Sequence, residues 1–167
     1  MNYNIFFISD THFSHDNAYH FMNYDGSKMR PWDGSAEADE YMINKWNSLV
    51  KPNDKVYHLG DVGFNRNKLD YILPRLNGTK VLIKGNHDKF KPNFYLKYFK
   101  DIRGCHNLEN FMLTHIPVHP ESKGRFKMNI HGHVHANSIN DIWYYNACVE
   151  VNNYAPIPFE DIKRQLI

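Results

Sequence analysis

Apolar residues along the chain fall into short runs that stop abruptly at polar clusters. The run "YNIFFIS" stops at Asp10-Thr11-His12, "DKVYHL" at Gly60-Asp61, "TKVLIK" at Gly85-Asn86-His87-Asp88, "NFMLT" at His115 and "FKMNI" at a cluster of histidines, and "IWYYNACVEV" adds a last strand-like pattern. Short β-rich runs closed by glycine and polar residues read as strands. Other stretches carry a helical period. Residues 37–50 place Met42, Ile43, Trp46, Leu49 and Val50 on one stripe after an acidic start, which suits a helix N-terminus. Residues 67–77 carry Leu69, Ile72, Leu73 and Leu76, with Pro74 to end or kink the helix and Gly78 to close it. The stretch "PFEDIKRQLI" has the proline and acids at its start and the basic residues near its end that a terminal helix favours. Strands alternating with helices predict an α/β layered domain.

The length of 167 residues and a hydrophobic content of 42% support one well-buried core and leave no room for two ordinary domains. There is no apolar run of about 18 residues and no signal-like start, so the expected address is the cytoplasm, away from membranes. Cys105 and Cys148 have no CxxC spacing and read as inert thiols. A net charge of +2 is too small to predict a nucleic-acid groove. In "KFKPNFYLKYFK" at 89–100, Phe90, Phe94 and Lys97 fit one helical stripe with a solvated lysine face.

The chemistry lies in the polar clusters. Taken singly, each has a plain structural role: Asp10 a helix cap, His12 a core histidine, Asp61 a turn, Asn86 a tight loop after Gly85. In open α/β sheets, however, ligands gather beyond the carboxyl ends of the strands, and here five such ends carry metal-competent groups. One shared site explains all five. In "NIHGHVHANS", an extended backbone sends His131, His133 and His135 to one side and Gly132 and Val134 to the other, forming a ligand edge.

The order Asp10-x-His12, Gly60-Asp61, Gly85-Asn86-His87-Asp88, His115, Gly132-His133-x-His135 resembles that of the calcineurin-like metallophosphoesterases, over most of the chain. The surrounding text, including "ISDTHFSHDN" and "KWNSLVKPNDKVYHLGDV", is similar to the small single-domain branch found in bacteria and phages. The resemblance implies a layered β-sandwich flanked by helices, with a metal site at the carboxyl ends of the strands. It implies two divalent transition metals, the first held by Asp10, His12, Asp61 and His135 and the second by Asp61, Asn86, His115 and His133, with Asp61 as the bridge. Mixed nitrogen and oxygen ligands suit manganese first, with iron, zinc or nickel as alternatives.

The same resemblance implies hydrolysis of phosphate esters by a water made acidic between the two cations. His87 would donate to the phosphoryl group or the leaving oxygen, and Asp88 would fix the loop or the His87 tautomer. His15 and Asn17 are close enough to the first motif to reach the site mouth, and Arg30 has the planar fork that grips a phosphate; Arg30 reads equally as a surface residue beside a proline turn. His131 has no ligand role in the family and reads as a residue behind the ligands or a solvated one. The expected substrate is a small, nucleotide-like phosphate ester, cleaved by a phosphodiesterase or phosphatase, because the chain lacks room for domains that hold a duplex. A nuclease for short single strands and a non-catalytic binding scaffold are the alternatives. Metal identity, ester preference, physiological substrate and oligomeric state are open at this point.

Overall fold

In a computed structural model, which describes residues 3–166, the period of two in the apolar runs becomes two sheets with a core on each side of the first. Strands β1 (Ile5–Ile8), β2 (Lys55–His58), β3 (Thr79–Ile83) and β4 (Asp101–Arg103) pair in parallel, and β9 (Ile157–Pro158) runs antiparallel to β1 at the edge, giving the order β4-β3-β2-β1-β9. In the second sheet β5 (Cys105–Leu108) is antiparallel to β6 (Phe111–Thr114), while β6, β7 (Met128–His131) and β8 (Tyr144–Asn146) are parallel. The chain is therefore of mixed α/β class, with two mixed sheets flanked by helices.

Alternate residues of each strand serve different cores. Phe6, Ile8, Val56 and Leu82 pack with Met42, Ile43 and Trp46 of helix α1 (Ser35–Leu49) and with Leu69 and Ile72 of α2 (Arg66–Ile72). Their neighbours Phe7, Tyr57, Val81 and Ile83 face Phe111, Leu113, Met128 and Ile130 of the second sheet. Both faces of the first sheet are thus buried, which explains why its strands read as nearly continuous apolar runs. Helix α4 (Phe159–Arg164) joins the core between the sheets, with Phe159 edge-on to both Phe7 and Phe111 at 5.3 and 4.9 Å.

Three expected elements change in extent. The helical stripe at 89–100 contracts to the single turn α3 (Pro92–Tyr95), followed by turns, although Phe94, Tyr95 and Phe99 still bury their rings. The helix of residues 67–77 gives way at Leu73–Arg75 to a 3-10 turn around Pro74, as a missing amide hydrogen requires. The strand-like 142–151 keeps only β8 as a strand and ends in a 3-10 turn, Val149–Val151. Among the described residues no helix is long and apolar enough to cross a membrane.

Candidate metal centre

The strands that carry the polar clusters, β1, β2, β3, β6 and β7, all turn out of their sheets at neighbouring carboxyl ends. The loops after β1 and β2 are zipped by backbone bonds from Asp10 to Gly60, His12 to Asp61 and Phe13 to Val62, at 3.0, 3.1 and 2.9 Å. This closes the side chains onto one point. Asp10 Oδ1 lies 3.6 Å from His12 Nε2 and 3.8 Å from His135 Nε2, while Asp61 Oδ2 lies 3.8 Å from His12 Nε2 and 3.4 Å from His115 Nε2. Asn86 Oδ1 sits 2.8 Å from His115 Nε2 and 3.0 Å from His133 Nδ1. All seven residues that the sequence singles out as ligands are brought together.

The spacing fits cations. Ligand atoms that surround one metal at about 2.0–2.2 Å are separated from one another by roughly 3–3.6 Å. Asp10, His12 and His135 form one group with ligand atoms all within 4.8 Å of one another, and Asp10, Asp61 and His115 form another. Among the described residues Asp10 Oδ1 and both ring nitrogens of His12 are buried without a hydrogen-bond partner, a costly arrangement unless something positive meets the carboxylate and something electron-poor meets the imidazole. Burial alone would raise the pKa of Asp10, but the facing histidines His12, His115 and His135 hold it well below the usual carboxylate range.

Backbone strain is concentrated on the same residues. Asp10, His12, Asp61, His133 and His135 all have φ between 46° and 73°, a left-handed region that few non-glycine residues enter and that costs about 1–3 kcal/mol each. The histidine segment is consequently not extended beyond His131. The amide of Val134 bonds back to Gly132 O at 2.9 Å, and the turn sends His133 to Asn86 and His135 to Asp10 rather than aligning three rings on one edge. Two glycines permit the crowding. A Cβ on Gly132 would stand 2.0 Å from Ser9 Oγ and 2.4 Å from Asp10 Oδ2, and one on Gly85 would stand 2.3 Å from Asp61 Oδ1.

A surrounding layer of side chains and backbone groups sets the orientation of the ligands. His115 and His135 each donate Nδ1–H, to Leu59 O at 2.7 Å and to Glu150 Oε1 at 3.1 Å, which turns Nε2 towards the carboxylates. Burial opposes a proton on either Nε2, but Asp61 and Asp10 around His115, and Glu150 and Asp10 around His135, outweigh it and raise both pKa values. An arriving cation must displace those protons, so metal affinity weakens as the pH falls. Asp10 Oδ2 is occupied by Ser9 Oγ at 2.6 Å, the His133 amide at 2.8 Å and Cys148 Sγ at 3.3 Å, leaving Oδ1 free.

Glu150 is the contributor that sequence reasoning missed; its one signal is a lone acid inside the apolar stretch "NACVEV". It is buried against Arg30, whose Nε and NH2 donate to Glu150 Oε1 at 3.0 and 2.7 Å, while NH1 and NH2 also donate to Thr11 O and Asp10 O at 2.9 and 2.7 Å. Arg30, expected at a phosphate or on the surface, is only 1% exposed and spends its fork on the chain itself. Glu150→Gln is expected to weaken cation binding at the Asp10–His12–His135 group by about 10–100-fold and to leave the Arg30 charge without a counter-charge. Competition with a fluorescent chelator measures the first effect and chemical denaturation the second. Unchanged affinity would remove Glu150 from the metal centre.

Three other expectations are refined. Asp88 does not touch the His87 ring: its carboxylate accepts from the amides of Asp61, Val62 and Gly85 at 2.9, 2.9 and 2.8 Å, so it clamps the loops and takes no position at the reacting groups. His131 is buried, with Nδ1 bonded to Gly132 O at 2.9 Å and its ring edge-on to Tyr144, so the solvated alternative falls. Asn17 is exposed on the one-turn segment Asp16–His20, outside the residues that line the cavity beside the centre. His15 and His87 do line it, their rings 5.9 and 5.8 Å from that of His12. The His87 backbone amide is fixed on Asp61 Oδ1 at 2.7 Å, so the anchor of this residue does not use its imidazole.

No family model matches the chain. The structure is similar to the crystal structure of the protein of unknown function AQ665 from Aquifex aeolicus, with a TM-score of 0.72 and 28% identity over 98% of this chain and 99% of that one. In sequence the chain is 34% identical over 166 residues to the uncharacterized protein MJ1445 of Methanocaldococcus jannaschii, across 93% of this chain and 87% of that protein. At that identity over nearly the whole of both proteins, this chain belongs to the same family as MJ1445.

Proposed function

We propose that the protein is a dinuclear metal-dependent phosphoesterase of the calcineurin-like type, a phosphodiesterase or phosphatase for small nucleotide-like esters. The observation that carries this reading is the convergence of seven ligand-competent side chains from five strand ends, with Asp61 Oδ2 lying between His12 and His115. Asp10, His12, Asp61 and His135 would hold one cation, and Asp61, Asn86, His115 and His133 the other. When bound, such a pair supplies positive charge against phosphate oxygens and a water acidic enough to act as a nucleophile near neutral pH.

The chain's own groups complete the chemistry. Only two of the seven ligands are carboxylates, too few to neutralise two divalent cations, so the centre stays positive and attracts a phosphate. Neutral Asn86 and four imidazoles hold the charge in place without cancelling it. His87 lines the adjoining cavity with its backbone locked to Asp61 and its ring not used in that anchor, where it can hold a proton for the leaving oxygen. The buried Asp88 clamp keeps the Gly85–Asp88 loop from shifting as substrate enters.

The test is to load the purified chain with manganese, count metals by elemental analysis, and assay bis(4-nitrophenyl) phosphate and 4-nitrophenyl phosphate alongside linear and cyclic nucleotides. Two metals per chain and hydrolysis of at least one ester class are expected. A fully loaded protein inert on all of them would leave a binding scaffold. A single metal that makes no use of Asn86 and His115 would overturn the dinuclear reading.

A further inference from the structure

Beside the metal centre opens a cavity of about 330 Å³ lined by His12, His15, Phe21, Phe64, His87 and Glu150 among others, at the small end of the roughly 300–1,000 Å³ usual for ligand sites. Its walls are aromatic. Phe64 lies 37% exposed although its ring packs on three imidazoles: His12 at 5.4 Å and nearly parallel, His15 at 4.0 Å, and His87 at 5.2 Å. Phe21, 49% exposed, meets the other side of this cluster edge-on through His15 at 6.2 Å. Two large aromatic rings thus stand partly open to solvent at the lip of a strongly polar centre, where they offer flat surface to a partner.

The polar lining adds a second constraint. His12 and His135 on the same wall belong to the metal-competent group, so a molecule that fills the cavity can place a phosphate against that group. Lys89 is on the same lining. A flat aromatic group joined to a phosphate held there is what a nucleotide presents.

We propose that this cavity is a nucleoside pocket in which Phe64 is the specificity-determining residue, stacking the base of a single nucleotide whose phosphate lies at the metal centre. The inference rests on the phosphoesterase reading for the placement of the phosphate. It selects one nucleotide unit as the recognised feature, with the exposed part of the Phe64 ring as the surface that meets the base.

Calorimetry on the manganese-loaded full chain tests it with adenosine 5′-monophosphate, ribose 5-phosphate and inorganic phosphate as probes. Wild type is expected to bind the nucleotide about 10-fold more tightly than the sugar phosphate, the contribution of one stacked base. Phe64→Ala should erase that advantage and leave the affinities for ribose 5-phosphate and phosphate unchanged, and Phe64→Tyr, which keeps a ring to stack on, should restore it. Equal affinities for nucleotide and sugar phosphate in wild type, or a Phe64→Ala loss shared by all three probes, would overturn the pocket. Ester hydrolysis is scored separately on bis(4-nitrophenyl) phosphate. Hydrolysis without a base advantage overturns the pocket alone, whereas a base advantage that Phe64→Ala removes supports the pocket even if no ester is cleaved.

Discussion

Asp61→Ala is expected to empty both cation positions and to lower phosphoesterase activity by at least about 10³-fold, whereas Asp10→Ala empties mainly the group shared with His12 and His135. The difference comes from position. Asp61 Oδ2 lies 3.8 Å from His12 Nε2 and 3.4 Å from His115 Nε2, between the two groups of ligands. Removing it would leave Asp10 as the one carboxylate among the candidate ligands for two divalent cations, and repulsion between them is large in a buried site. Asp61 Oδ1 also accepts the His87 amide at 2.7 Å, so alanine frees the loop as well. Asp61→Asn separates the two effects, since an amide oxygen can still accept from His87 but cannot bridge as an anion. Elemental analysis after reconstitution and steady-state assays read the outcome; equal, mild losses in the Asp61 and Asp10 variants would contradict a bridge.

His87→Ala should behave in the opposite way. The variant is expected to keep both cations and its affinity for phosphate, yet to lose kcat by roughly 10²–10⁴-fold, the usual range for a group that moves a proton in the transition state. The backbone contact to Asp61 survives the substitution because it uses the amide, not the ring. The loss should be smaller for a nitrophenyl ester than for an alkyl ester, since an acidic leaving group needs little protonation. A uniform loss across leaving groups assigns the ring to phosphoryl-oxygen stabilisation instead. Loss of metal on His87→Ala, or wild-type rates with poor leaving groups, would show that His87 has neither role.

The sequence reveals the site more fully than the sheet edges around it. The strands β1, β2, β3, β6 and β7 are recognisable because their apolar runs end at the polar clusters of the candidate site. Strands β4 and β5 are not, since "DIRGCHNL" carries half-exposed polar residues whose extended form is fixed by pairing with β3 and β6 rather than by pattern. The two-residue β9, which contains Pro158, gives no local signal at all. The ligand side chains are legible from spacing, but their supports are not. Arg30 meets Glu150 across 120 residues, and nothing local tells a buried arginine strut from a phosphate clamp. The extended reading of the three histidines fails for a related reason. A period of two holds only while a strand continues, and the left-handed turns at His133 and His135 begin where β7 stops.

The separation of the ligands along the chain has a kinetic consequence. The His133 amide and Asp10 meet across 123 residues, and the groups between them come from both sheets, so the centre is complete only when strands of both sheets are in place. Contacts of that range are late to form, because loop closure must precede them. Cations held by such a centre would therefore have little to grip in the folding transition state. They would act on the barrier to leaving the native state, as interactions absent from the transition state do, and metal loading is expected to slow unfolding without making the protein fold faster.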